Sequence, residues 1–387
     1  MIVNSDKELW IFLSHSNKDF GKVRKIRNYL EEHSCRPLMF YLMCLSNDEE
    51  IDSLIKREID CRTRFIICSS ENSKASKWVK SEVDYIKSRQ RTYEIIDLSE
   101  SDEIIRQKLD IFLKSMQVFL HFSRNDEAFV DSVYSHLRKY DMRIVGDMGT
   151  LMKNLSGGNP FHQQVQEYLE SCLHLFKEFG FVVFFASETA LTSHYVKKEL
   201  DVLIRGGCSV FAVLLDGYAS LHFQDYFMEW GLLYSPRPNM GGLPDNRMLT
   251  MVDVSTSENK LEATIEGIVN RSFPCWDTYT MAENFLRGVD GVTDHEEAER
   301  LFKIAYHRAD ELDSVGYPGG TLYLAKCEAN GYGTKKDLQS AIHDYHSYLR
   351  QVGGSMSPEL EAEISQIENQ LNESAGEIRY SHKHFTQ

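Results

Sequence analysis

Short apolar runs alternate with amphipathic stretches through the first 270 residues. Residues 9–13 (LWIFL) are continuously apolar, which suits a strand buried on both faces of a parallel sheet. A polar turn, Ser14-His15-Ser16-Asn17-Lys18-Asp19, follows it. Phe20, Val23, Ile26 and Leu30 then recur at helical spacing. The same rhythm predicts strands at 37–42, 64–68 and 92–97. It predicts helices at 51–61, 78–86 and 104–112. Strands that alternate with helices give a parallel sheet with helices on both faces.

The pattern then restarts. A strand at 118–120 ends in His121-Phe122-Ser123-Arg124-Asn125-Asp126, and a helix carries Phe129, Val130, Val133 and Leu137. A glycine-rich loop at 146–160, a helix at 165–175, a strand at 181–186, a helix at 195–204 and a strand at 210–216 complete a second α/β unit. Five parallel strands are expected in each unit. Residues 11–19 overlay residues 118–126 at an offset of 107. Trp78-Val79-Lys80-Ser81-Glu82 overlays Tyr195-Val196-Lys197-Lys198-Glu199 at an offset of 117. Two motifs that repeat in one order point to a duplicated unit. No Gly/Ser spacer separates the copies, so their orientation is expected to be fixed.

From about residue 282 the chain reads as amphipathic helices with a period of 43. Gly288 pairs with Gly331, Asp294 with Asp337, Ala298 with Ala341, and Phe302 with Tyr345. That period suits helix-hairpin repeats of the solenoid type, of which about two fit. The expected boundaries are 1–115 and 116–275 for the α/β domains, 276–372 for the repeats and 373–387 for a flexible polar tail.

A formal net charge of −15 argues against a general affinity for nucleic acid or anionic lipid. The first ten residues lack the basic start and apolar core of a secretory signal, and no apolar run is long enough to span a bilayer. The eight cysteines (35, 44, 61, 68, 172, 208, 275 and 327) form no Cys-x-x-Cys pair, so they read as free thiols of a cytoplasmic protein and not as a metal site.

Two places invite a functional reading. The turns Ser14–Asp19 and His121–Asp126 follow the first strand of each copy, and ligands of open parallel sheets bind at the carboxyl ends of the strands. Trp78 and Glu82 stand one helical turn apart, as do Tyr195 and Glu199. Singly, such features are ordinary. An aromatic four residues before a glutamate is usually a core side chain beside a solvated acid, and Asp19 and Asp126 would serve as helix caps. His15 and His121 read as incidental turn residues. Combined in order, and repeated, the motifs favour a site.

Phe-Leu-Ser-His-Ser-x-x-Asp at 12–19, with Ser-Lys-Trp-Val-Lys-Ser-Glu at 76–82, resembles a bacterial-type TIR domain. Residues 119–126 and 193–199 resemble it again, with Tyr195 in place of tryptophan. The tail pattern is similar to SEL-like repeats, relatives of tetratricopeptide repeats. The resemblance implies two flavodoxin-like TIR domains followed by an α-helical repeat module. It implies NAD+ as substrate, no metal, and cleavage of the nicotinamide–ribose bond by a helix glutamate, which maps to Glu82 and Glu199. Ser14, His15, Ser16, Asp19 and Trp78, with His121, Ser123, Asp126 and Tyr195, would then line the substrate crevice. The product would be linear or cyclic ADP-ribose, in antiphage defence or immune signalling. Self-association through TIR domains and a downstream effector that senses a nucleotide product are the implied partners. Trp78 and the fuller serine turn favour the first copy as the active one, although one copy could complete the other's site. The rival class is a non-enzymatic adaptor that acts through TIR–TIR assembly.

Overall fold

The computed structural model describes residues 9–39, 47–145, 180–205, 208–229, 233–234, 248–289, 291, 293–354 and 356–383. The glycine-rich loop expected at 146–160 and the helix expected at 165–175 lie outside the described residues, as does the end of the strand expected at 37–42. The chain divides into two compact units, neither of them continuous in sequence. One holds residues 1–41, 64–79 and 93–272; the other holds 42–63, 80–92 and 273–387.

The first unit contains two parallel sheets. In the first sheet the strands are β1 (Leu9–Ser14), β2 (Cys35–Leu38), β3 (Phe65–Ser69) and β4 (Tyr93–Asp97), in the order β2-β1-β3-β4. Trp10 pairs with Arg36 on one side of β1, and Leu13 with Ile66 on the other. Helices α1 (Phe20–Glu32) and α5 (Asp102–Ser115) cover the sheet, and Val23, Ile26, Leu30, Leu109 and Leu113 join Ile11, Leu13, Ile66 and Ile96 in one core. The continuous apolar runs of β1 and β3 follow from this burial, since strands inside a parallel sheet have no solvated face.

The second sheet has the strands β5 (Gln117–His121), β6 (Arg143–Val145), β7 (Phe181–Ala186), β8 (Ser209–Leu214), β9 (Leu233–Tyr234) and β10 (Met248–Asp253), all paired in parallel. Their order is β6-β5-β7-β8-β10-β9. Both sheets therefore begin second, first, third, fourth, which places the reversal of strand order beside the first strand of each. A ligand crevice forms at such a reversal. Among the described residues the sheets have four and six strands, not five each. The first chain segment passes from α5 into β5 through Met116 alone, which leaves no residues for a fifth strand. The second sheet gains the two-residue edge strand β9.

Around the second sheet lie α6 (Glu127–Leu137), α7 (Glu188–Thr192), α8 (His194–Arg205), α9 (Gly217–Glu229) and α10 (Lys260–Ser272). The short helix α3 (Glu71–Ala75) holds the place in the first sheet that α7 holds in the second.

The other unit joins α2 (Asp48–Cys61), most of α4 (Lys77–Ser88) and the C-terminal helices α11 (Cys275–Arg287), α12 (His295–Ser314), α13 (Pro318–Asn330), α14 (Leu338–Gln351) and α15 (Pro358–Lys383). The 43-residue period is a pair of helix hairpins, α11–α12 and α13–α14. Gly288 and Gly331 end the first helix of each hairpin in the left-handed region, at φ 66° and 74°, where a Cβ is disfavoured. Asp294 and Asp337 cap the second helix: their carboxylates accept from the amides of Glu297 and of Gln339 and Ser340. Ala298, Ala341, Phe302 and Tyr345 are all buried between helices. Helix α15 continues to Lys383, across the stretch that the sequence suggested as a polar tail. Asn284 Nδ2 donates to the Cys61 carbonyl at 2.8 Å, and Tyr323 Oη donates to the Arg89 carbonyl at 3.1 Å. These bonds fasten α2 and the end of α4 to the hairpins.

Candidate functional site

The polar turn after β1 is built by local capping. Ser16 starts a single 3-10 turn (Asn17–Asp19), its hydroxyl accepting from the Lys18 amide at 3.4 Å. Ser14, His15 and Ser16 are all buried. His15 Nδ1 donates to the Leu13 carbonyl at 3.0 Å, and burial, working against that bond, holds the imidazole pKa below its ordinary value. The turn thus fixes the proton of that bond on Nδ1 of His15.

Asp19 does not cap α1, as the sequence suggested; no cap bond forms from its side chain. Its carboxylate instead accepts from Ser70 Oγ and, at 2.7 Å, from Asn72 Nδ2. Ser70 stands just after β3 and starts α3 in a reciprocal capping box with Ser73. The bond therefore ties the turn after β1 to the turn after β3, the two strands that flank the reversal of strand order.

The second sheet repeats the device. Ser123 starts the turn Arg124–Asp126 and accepts from the Asn125 amide at 3.5 Å. Asp126 makes no cap bond to α6 and accepts from Ser187 Oγ at 2.6 Å; Ser187 in turn caps α7. Burial raises the Asp126 pKa against the effect of that bond. Ser70 and Ser187 join the site only through the fold. Their signal was present, because they repeat at the offset of 117 that relates Trp78 to Tyr195.

Trp78 and Glu82 both lie on α4, one turn apart. Trp78 is half-buried, with Lys77 Nζ 4.8 Å from its ring centre, and Glu82 is 7% exposed. On α8, Tyr195 is 45% exposed beside His194, and the Glu199 side chain is one-fifth exposed. Burial is thus deeper at the first glutamate.

In the second sheet the structure brings His121 and Glu199 together. His121 ends β5, is buried between Phe119 and Phe184, and lies with Nε2 3.4 Å from the Val196 carbonyl. Its Nδ1 is 3.8 Å from Glu199 Oε2. With Nε2–H given to the carbonyl, a proton on Nδ1 is what makes that approach attractive. His121 is a buried strand-end side chain beside Glu199. It replaces Ser14 of the first copy.

Among the described residues no group of three His, Cys, Asp or Glu side chains is placed to hold a metal ion, and no helix is long and apolar enough to cross a membrane. The six cysteines described are free thiols. No curated protein matches the chain. A comparison with family models matches residues 11–110 to the TIR domain. That stretch holds β1 to β4 and their helices, and so the chain contains a TIR domain over residues 11–110.

Proposed function

We propose that the chain is an NAD+ nucleosidase that breaks the nicotinamide–ribose bond at its TIR domain, with Glu82 as the catalytic carboxylate. The observation that carries this reading is the burial of Glu82, 7% exposed, on the TIR helix where the family resemblance implies the catalytic glutamate. Withdrawing a carboxylate from water is costly, and a site that must oppose positive charge is a reason to bear that cost. Bond cleavage builds oxocarbenium character on the ribose, which a carboxylate in a poorly solvated site stabilises. Nicotinamide leaves from a cationic ring as a neutral molecule, so no general acid is required. The ribosyl cation is captured by water or by the adenine, giving linear or cyclic ADP-ribose. The setting we propose is cytoplasmic antiphage defence or immune signalling, with a nucleotide-sensing effector downstream.

The shared strand order and the Asp126–Ser187 bond support reading residues 116–275 as a second TIR domain. The glycine-ended, aspartate-capped hairpins support SEL-like repeats. Product analysis of full-length protein incubated with NAD+, beside Glu82→Gln, tests the enzyme reading. No nicotinamide release by wild type, dilute or concentrated, would exclude it.

One observation favours an adaptor that works through self-assembly. Ile95 on the edge strand β4 and Ile104 and Ile111 on α5 are 50%, 43% and 58% exposed. Large apolar side chains at a sheet edge and its neighbouring helix suit a contact with another copy. Ile104→Asp with Ile111→Asp should lower the sedimentation coefficient of concentrated protein. An unchanged profile would remove the support for this surface.

A further inference from the structure

The helical unit holds a half-open polar cavity of about 280 Å³, lined by none of the candidate site residues named above. Five cationic side chains line it: Arg89, Arg91, Arg287, Lys326 and Lys336. Three carboxylates oppose them: Asp60, Glu283 and Glu363. Burial raises the Glu283 pKa against the pull of Arg287, Lys326 and Arg91. In a chain of formal net charge −15, a cavity with this excess of cations is a local exception.

Glu363, on α15, shows what the cavity grips. Its carboxylate accepts from Lys326 Nζ at 2.6 Å, from Arg89 Nη1 at 3.2 Å and from Tyr345 Oη at 3.2 Å. A guanidinium, an ammonium and a phenol around one anion form the donor set that also holds a phosphate. The grip is only partly used. Arg91 has a side chain 3% exposed; its terminal nitrogens donate to Trp276, Thr280 and Asp60, and its Nε alone has no hydrogen-bond partner among the described residues. Lys336 stands exposed on the lining without an ion-pair partner among the described residues. Arg287 pairs with Glu283 at 2.7 Å but is 59% exposed. The volume falls at the small end of ligand pockets, which run from roughly 300 Å³ upward.

We propose that this cavity binds a small phosphorylated ligand, whose phosphate takes the place of the Glu363 carboxylate between Arg89 and Lys326. The dianionic charge of a phosphate monoester answers the cation excess better than one carboxylate does. Tyr279 and Tyr323 line the cavity with ring faces for the rest of the molecule.

Calorimetric titration of the full-length chain tests it, with ribose 5-phosphate, inorganic phosphate, ribose and malonate as probes. Ribose 5-phosphate and phosphate should bind. Ribose should give no heat, and malonate should bind at least about fivefold more weakly than ribose 5-phosphate. Glu363→Gln, which removes the competing charge, should tighten ribose 5-phosphate several-fold. Arg287→Ala with Lys336→Ala should weaken it by about tenfold. Both of those side chains are exposed, so the variant should keep its helical circular dichroism. The proposal is overturned if neither phosphate probe binds below about 10 mM. It is also overturned if malonate matches ribose 5-phosphate, or if the affinity ignores both variants.

Discussion

Ser187 Oγ donates to Asp126 Oδ2 at 2.6 Å across 61 residues of chain, and Ser70 Oγ donates to Asp19 in the same way across 51. Each bond holds the turn after the first strand of a sheet against the turn after the third. Removing the acceptor should loosen both turns. Asp126→Ala should destabilise the protein by about 1 kcal/mol or less, since the Ser187 hydroxyl loses this acceptor but keeps Thr189 Oγ1 at 2.9 Å. Asp126→Asn keeps an acceptor and should cost less. Because burial raises the Asp126 pKa, the folded state binds its proton more tightly than the unfolded chain does. Its contribution therefore favours folding at acid pH and declines as pH rises through the raised pKa. Asn should match or exceed wild type at pH 8 in thermal melts, and an Asn variant melting well below the Ala variant would contradict this role.

Glu82→Gln should lower NAD+ cleavage by about a hundredfold or more, since the charge opposite the oxocarbenium is lost while the shape is kept. Glu199→Gln should lower it less, because its carboxylate already faces His121 at 3.8 Å. Loss with either variant alone would point to a composite site. A double variant as fast as wild type would end the enzyme reading of these carboxylates. Nicotinamide release measured by chromatography is the readout.

The helix hairpins depend on their end residues. Gly331→Ala puts a Cβ on a residue at φ 74°, 3.2 Å from the Lys336 amide nitrogen, and should cost about 1–2 kcal/mol. Asp337→Ala removes the acceptor of two amide bonds and should cost about 1 kcal/mol. Gly217→Ala, at a helical position with open space around it, should be close to neutral. Melting followed by far-ultraviolet circular dichroism checks the ranking.

Glu328 on α13 has its pKa pushed up to about 7, first by burial and then by Asp344, Asp337 and Asp310. A carboxyl with a folded pKa above its unfolded value favours folding while protonated. That contribution falls away as pH rises from the ordinary carboxylate range through about 7. The protein should therefore melt higher at pH 5 than at pH 8 on this account. Glu328→Gln should raise the pH 8 value and narrow the gap. A gap unchanged by the substitution would assign the pH dependence to other groups.

The strand–helix rhythm was legible because parallel strands buried on both faces carry continuous apolar runs, as in Leu9–Leu13 of β1, Val118–Leu120 of β5 and all of β7. The 43-residue period was legible because a left-handed helix end needs glycine and a helix start favours aspartate, as at Gly331 and Asp337. β6 is only three residues long, and α9 spreads apolar residues around its whole circumference, so neither has a clear period. Which partner an aspartate takes is a fact of distance in space. Asp19 looked like a cap from its neighbours, and its true partner Ser70 is brought to it by the pairing of β1 with β3. The approach of His121 to Glu199 was hidden for the same reason, as was the company that α2 and α4 keep.

Arg91 follows α4 with its side chain 3% exposed, donating to the Trp276 carbonyl at 3.1 Å and to Thr280 Oγ1, with Asp277 nearby. All three acceptors come from α11, some 185 residues downstream. A gene fragment cut after residue 115 would carry the guanidinium without them, and would strip Lys56 of Glu359 as well. The family match at residues 11–110 thus does not mark a stretch that can be excised with its contacts intact. Grafting those residues onto another protein, or shuffling them in a chimera, would ask the new host to supply acceptors for a buried cation. The C-terminal helices are accordingly part of what lets this sequence fold, and a lineage that loses them must first repaint Arg91.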